Sequence, residues 1–413
     1  MKVLQLCKKF PYPPIDGETI AITNLSKALN HWGCDVTLLA LNTTKHYFDL
    51  DLLPGHYNHY KEIFTVDIDN RLNLFHAIQY HRQGASYQLG RFKSVLFENK
   101  LKEILQKSSF DVVIVESVHM GHYLQTIRKY SRAQIVLKCH NVEHELWSRI
   151  AENTSFSLKR WYLRNEARLM AQFEMQALKH VDRVIFLSKR DRDVFVAAGF
   201  DNDYTINPSS LDLSYYNTPK TSKNFTIGFI GSLDWIPNVE GLKWFLDNVW
   251  PQVYKALPYA EFHVAGRNPG NDFYSRPARN IFIHGEVRSA KDFMSDHQIL
   301  VVPLLSGSGI RIKILEGLAL ERTVITTPLG VEGIDAMHGE HLLIAKNSQE
   351  FIKNIQYCAM DDELMTKLGT NGRLFIQSRY DVLKQTRKLL KYIHPTYPKI
   401  SRPGVSKQNQ SLS

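Results

Sequence analysis

The sequence predicts an α/β protein of two doubly wound, Rossmann-like parallel sheets facing a cleft. Three observations carry that expectation. Short aliphatic and β-branched runs recur along the whole chain and are apolar on both faces, as strands of a helix-covered parallel sheet must be. Segments of helical period separate them. A stretch rich in Pro, Ser, Thr and Asn, INPSSLDLSYYNTPKTSKN from Ile206 to Asn224, divides the chain into halves of similar alternation.

In the first half the strand-like runs are KVLQL, DVTLLAL from Asp35, DVVIV from Asp111, QIVLK from Gln134 and RVIFL from Arg183. In the second they are TIGFI from Thr226, EFHVAG from Glu261, NIFIHG from Asn280, ILVVPL from Ile299, TVITT from Thr323 and HLLI from His341. The expected organisation is residues 1–210 as one domain, 211–224 as linker and 225–378 as a second domain. Residues 379–395 then form a helix placed to pack back on the first domain, and 396–413 a flexible basic tail. Any ligand belongs at the carboxyl ends of the strands.

With 413 residues, 44% of them hydrophobic, the chain buries roughly two cores, which excludes a disordered, collagenous or coiled-coil protein. The four cysteines (Cys7, Cys34, Cys139, Cys358) form no C-x-x-C pair, so neither a disulfide framework nor a structural zinc site is expected, and a reducing, cytoplasmic location is. Five residues between Lys2 and Lys8 are too few for the apolar region of a signal peptide, and no run approaches about 18 apolar residues, so no membrane span is expected.

Of the formal net charge of +10, residues 379–413 carry +7, with eight Lys or Arg against Asp381. A nucleic-acid enzyme would place its charge along a groove of the folded body, so no nucleic-acid partner is expected. The basic end is either simply solvated or makes a weak peripheral contact with the inner face of a membrane.

The most informative segment is VVPLLSGSGIRIKILEGLALERTVITTPLGVEGI, Val301 to Ile334. A buried strand ends at Pro303, a small-residue turn follows (Ser306, Gly307, Ser308, Gly309), and a helix starting near Ile310 carries Arg311, Lys313 and Glu316. Free backbone N–H groups, the helix dipole and two cations then converge on one point. Cations at a helix N-terminus oppose the dipole unless an anion lies between them, and the simplest such anion is a diphosphate. Glu316, one turn further, suits a ribose diol, and the next turn offers Glu332. The plainer alternative is that Lys313 and Glu316 make a surface helix pair.

These motifs resemble those of retaining glycosyltransferases of the GT-B fold, specifically family four, which includes many bacterial enzymes of lipopolysaccharide, capsule and exopolysaccharide synthesis. YPPIDGETIAITNLSKAL resembles the family's glycine loop and first helix, HNVEHELW its middle segment, and FEMQALKHVDRVIFLS the helix and strand near the domain end. GSLDWIPNVEGLKWFLDNVWP, VAGRNPG, GSGIRIKILEGLA and PLGVEGI together resemble its nucleotide-binding half. The resemblance implies an acceptor-side first domain and a second domain binding a UDP- or GDP-linked sugar, with neither cofactor nor metal.

Carried over residue by residue, the resemblance implies donor contacts from Gly17, Gly231, Ser232, Arg267, Val287, Ser308, Gly309, Ile310, Arg311, Lys313, Glu316 and Glu332. Relatives usually carry two acids eight positions apart; Glu316 matches the second, whereas Ser308 stands at the first, a departure at the usual contact to the sugar hydroxyls, so the donor sugar is not carried over from the resemblance. Many relatives also hold the diphosphate with an Arg and a Lys where this chain has Ser232 and Asn238, so Arg311 and Lys313 have to supply the charge. Near the reacting carbon, VVIVESVHMGHY offers Glu116 or His119. Asp16, His140 and Glu143 are acceptor-side candidates.

His140, Asn141, Glu143 and His144 invite a metal, but the His140 and His144 pair falls on no secure helix and no nearby Cys or Asp completes a set, so none is expected. The loop GEVRSAKD, Gly285 to Asp292, lies where relatives read the base through backbone groups. The expected reaction is sugar transfer to a saccharide or lipid-linked acceptor with retention. The rival is a GT-B sugar-nucleotide epimerase; a dehydrogenase lacks support because KKFPYPPIDG, and not G-x-G-x-x-G, follows the first strand.

Overall fold

The computed structural model describes residues 1–216, 224–268, 270, 273 and 280–395, so part of the expected linker and all of the expected tail, 396–413, lie outside the described residues. Two parallel sheets form. The first comprises β1 (Lys2–Cys7), β2 (Asp35–Thr43), β3 (Glu62–Ile68), β4 (Val112–Glu116), β5 (Gln134–Cys139), β6 (Arg183–Phe186) and β7 (Tyr204–Ile206), in the order β3-β2-β1-β4-β5-β6-β7. The second comprises β8 (Thr226–Ile230), β9 (Glu261–Ala265), β10 (Ile281–Gly285), β11 (Ile299–Val302), β12 (Thr323–Thr326) and β13 (Leu343–Ile344), ordered β10-β9-β8-β11-β12-β13.

Alternate residues of each strand enter different cores, which is why both faces read as apolar. Leu4, Leu6, Val113, Val115, Ile135 and Leu137 pack on one side of the first sheet, and Val3, Val112, Ile114 and Val136 on the other. In the second sheet Phe229, Phe262, Val264 and Val301 face one way and Leu300, Val302 and Val324 the other. Each of these side chains contributes about 1.5–3 kcal/mol by leaving water.

Two strands escaped the sequence reading. The edge strand β3, EIFTVDI, is only half buried along most of its length, so it never shows the doubly apolar signature. β7 has three residues and ends at Ile206, the first residue of the stretch rich in Pro, Ser, Thr and Asn. That stretch is also tied down: the amide of Leu211 donates to the carbonyl of Tyr380 at 2.8 Å, and Val382 returns a bond to Leu211 at 3.1 Å.

Helix Val382–Ile393 lies against the first half, where Leu389, Leu390 and Ile393 join Val3, Leu25 and Leu29 in one core, and Trp32 donates its indole N–H to the Leu383 carbonyl at 3.1 Å.

In both sheets the order reverses beside the first strand, between β1 and β4 and between β8 and β11. Crevices outside the carboxyl ends of strands at such points are where doubly wound sheets hold ligands. The loops after β1, β4, β8 and β11 are therefore the ones topology assigns to a site.

Candidate active site

The turn after β11 is shaped by two glycines in the left-handed region, Gly307 (φ 124°) and Gly309 (φ 76°). Helix Ile312–Ala319 follows, starting two residues later than the sequence suggested. Arg311 is its N-cap residue, no side chain caps the helix, and no acid lies in its first turn, so its leading amides face the cleft without an anionic partner.

Arg311 is buried, and its Nη1 and Nη2 atoms have no hydrogen-bond partner among the described residues. Burial lowers its pKa to about 10, helped by the charges of Arg149 and Arg190 and opposed by Glu332 and Asp191. A guanidinium that retains its charge while lacking partners costs stability unless an anion reaches it.

Lys313 crosses the end of β8. Its Nζ donates to Asn238 Oδ1 at 2.9 Å, and Asn238 in turn donates to the Ser232 carbonyl at 2.9 Å. A Cβ at Gly231 would lie 2.6 Å from Lys313 Nζ and 2.8 Å from the Asn238 amide nitrogen, so a larger residue here would push both side-chain ends aside. Burial, with the charge of Arg311, lowers the Lys313 pKa to about 7. Glu316 accepts from the Tyr216 hydroxyl at 2.8 Å, and burial raises its carboxyl to about 7. The loop after β9 lies alongside: the Arg267 carbonyl accepts from the Leu233 amide at 2.9 Å. Val287, after β10, and Ile310 pack against the core beneath helix Ile312–Ala319.

The halves meet at this turn. Ser308 Oγ accepts from the Val142 amide at 3.1 Å, which gives the residue standing in the usual acid's place a contact with the opposite half. A Cβ on Gly309 would fall 2.3 Å from Asn141 Oδ1 and 2.6 Å from the His140 carbonyl, and one on Gly17 would sit 3.2 Å from Ile312 Cγ1. Gly309→Ala is thus expected to lower activity by tenfold or more, with the helix intact by circular dichroism, because both backbone strain and the clash unseat the turn. Glu332 is engaged by the first half, accepting from Arg149 at 2.7 and 3.0 Å and lying 3.3 Å from Arg190. Arg149 also donates to the Gly307 carbonyl at 2.7 Å.

Across the cleft, Asp16 caps helix Gly17–His31, accepting from Thr19 in a reciprocal capping box, and pairs with Lys9 at 2.8 Å. Lys9 holds its carboxyl far below the usual range, overcoming burial. His119 bonds Ser117 Oγ at 2.8 Å, with Lys8 3.4 Å and Glu143 3.8 Å from its Nδ1. Burial and the neighbouring cations, Lys8 first, keep it neutral. Glu143 is raised by burial and lies in hydrogen-bond reach of the Asn141 amide, at 3.2 Å.

Glu116 does not reach the cleft. It is wholly buried at the end of β4, accepting from Gln5 at 2.7 Å, bonding His140 Nε2 at 2.7 Å, with buried Lys138 at 3.5 Å. Burial alone would raise this carboxyl, but Lys138 and the hydrogen bonds hold it at about 2. His140 is therefore fixed from below. No group of three or more His, Cys, Asp or Glu among the described residues is arranged to hold a metal ion.

Sequence reasoning missed Arg149, Arg190 and Lys8, whose importance comes from crossing between segments far apart in sequence. It also missed Glu174, which caps the helix beginning at Glu143 by accepting from the amides of Glu143 and His144 at 2.9 and 3.1 Å. A local signal existed for Arg149 alone, its i,i+4 spacing from Glu145.

Two family profiles match the chain in tandem: one described as Glycosyltransferase Family 4 over residues 15–215, the other as Glycosyl transferases group 1 over 224–361. An uncharacterised 44.6 kDa protein in the cps region of Klebsiella pneumoniae is 24% identical over 94% of this chain and 99% of its own. Sucrose-phosphate synthase from Thermosynechococcus elongatus superimposes with a TM-score of 0.73 at 14% identity, covering 96% of this chain and 99% of that one. Anabaena HepE in complex with UDP-glucose gives 0.63 at 15% identity, covering 96% and 100%. The two-sheet architecture is that of GT-B proteins.

Proposed function

We propose, from the premise that this chain is a glycosyltransferase of the GT-B type, that it moves a sugar from a nucleotide diphosphate sugar to a saccharide or lipid-linked acceptor with retention of anomeric configuration. Cell-surface polysaccharide synthesis is the setting we favour, supported by the relative from a cps region. The carrying observation is Arg311, buried with its terminal nitrogens unpartnered beside an uncapped helix start and Lys313. That is the chemistry a departing diphosphate needs, because charge developing on the leaving group meets donors already in place.

In this reading Arg311, Lys313 and the leading amides of helix Ile312–Ala319 hold the diphosphate, and Glu316 accepts from the ribose hydroxyls. The glycines at 231 and 309 allow close backbone approach. His119, kept neutral by burial and the Lys8 charge, faces the sugar, and Asp16 and Glu143 border the acceptor. The charge on the leaving group is met by side chains, so we expect chelation with EDTA to leave turnover unchanged. Incubation with a UDP- or GDP-sugar alone tests the reading: slow release of the nucleoside diphosphate is the expected result, whereas formation of an epimer contradicts it.

A pH dependence follows from Lys313. Its ammonium loses its proton as pH rises through about 7, while a bound diphosphate favours the protonated form. The Kd for UDP is expected to rise severalfold between pH 7.5 and pH 8.5, approaching at most about tenfold per unit for one proton, with proton uptake on binding. Calorimetry in buffers of different ionisation enthalpy checks the sign, and Lys313→Met is expected to flatten the profile.

A further inference from the structure

Several large apolar side chains stand in water on one flank of the first half. Helix Leu74–Arg82, which follows the carboxyl end of β3, exposes Leu74 (78%), Phe75 (75%) and Ile78. The start of helix Ser157–Lys179 exposes Leu158 and Trp161 (63%), and Phe156 precedes it. The two helices are neighbours: the His81 ring stacks on Tyr162 with centroids 4.9 Å apart, and His81 Nδ1 lies 3.1 Å from Glu166. Both lie toward the cleft end of the sheet. Glu174 caps the helix that leaves β5, and Ser157 lies about 25 Å from Glu174 along Glu174's own helix, Ser157–Lys179, at 1.5 Å per residue.

The charge around these side chains is mainly positive. From Asn70 to Phe97 the sequence holds no Asp or Glu and has Arg82, Arg91 and Lys93 besides Arg71, which pairs with Asp69 at 2.6 Å. Residues 156–168 add Lys159, Arg160, Arg164 and Arg168, and their one acid, Glu166, is buried. A cationic surface carrying Trp, Phe and Leu complements an anionic lipid interface, where apolar side chains enter the acyl boundary and cations lie over the headgroups. A second copy fits less well, since a two-fold contact would set cations against cations.

We infer that this flank rests on an anionic membrane surface through Leu74, Phe75, Ile78, Phe156, Leu158 and Trp161. The contact stands independently of the sugar-transfer reading and separately from the basic chain end. Co-sedimentation of the full chain with phosphatidylcholine vesicles, with and without one third phosphatidylglycerol, tests it. Binding to the anionic vesicles is expected, weakening with salt and accompanied by a blue shift of tryptophan fluorescence. The variant Leu74→Ser/Phe75→Ser/Trp161→Ser is expected to lose at least about tenfold in partitioning with its thermal midpoint unchanged, since all three side chains are exposed, whereas a chain ending at Pro395 is expected to keep binding. Absence of binding by the full chain, equal binding by the triple variant, or loss on truncation alone would overturn the inference. So would a change of the triple variant from dimer to monomer in sedimentation, which would assign the flank to a second copy.

Discussion

Arg311→Ala is expected to lower kcat by about a hundredfold or more, the scale of removing one preorganised donor from a developing negative charge. The physical reason is that the Arg311 terminal nitrogens are buried without a hydrogen-bond partner among the described residues, while the charges of Glu332 and Asp191 that favour the guanidinium are countered by those of Arg149 and Arg190. Its removal takes a buried guanidinium with unsatisfied donors out of the interior, so the thermal midpoint of the ligand-free protein is expected to hold while turnover collapses. Arg311→Lys should recover little, because a single ammonium cannot present a planar fork to two phosphate oxygens. Lys313→Ala is expected to fall in the same range. Steady-state kinetics with thermal melts checks both, and unchanged turnover with a lowered midpoint would assign Arg311 to the scaffold instead.

Glu116→Ala is expected to act in the opposite way, costing about 3–5 kcal/mol of stability, the scale of removing one partner from a buried charge pair. The substitution leaves Lys138 buried at 2% exposure without its carboxylate and removes the acceptor that fixes His140. The carboxyl is held at about 2 in the fold against about 4.3 when free, so its contribution is complete above about pH 5 and is lost as pH falls toward 2. The stability gap between wild type and variant is therefore expected to narrow in acid. Denaturant unfolding at neutral pH and near pH 3 measures it, and a gap that stays constant or widens in acid would contradict the assignment. At temperatures where the variant stays folded, its residual activity separates positioning from chemistry.

How far the sequence revealed this molecule depends on whether the signal was local. Central strands such as ILVV at Ile299–Val302 are apolar on both faces and announce themselves. The half-buried edge EIFTVDI and the three-residue β7 do not. The turn proposed to hold the diphosphate was legible as a unit because glycines, cations and helix start fall within one short segment, Ser306 to Glu316. The charge-crossing residues were not: Arg149 and Glu332 are 183 positions apart and meet only once the sheets face each other. The burial of Glu116 was equally hidden, since it rests on Gln5, Lys138 and His140 from two other strand ends. The exposed Leu74 and Phe75 illustrate the converse, because helical period reveals an apolar residue but not whether anything covers it.

A crystal structure with bound UDP or GDP shows most directly where the diphosphate lies. Phosphate oxygens are expected within about 3 Å of Arg311 and Lys313 and of the leading amides of helix Ile312–Ala319. Phosphates bound elsewhere, with the Arg311 guanidinium still unpartnered, would contradict that placement.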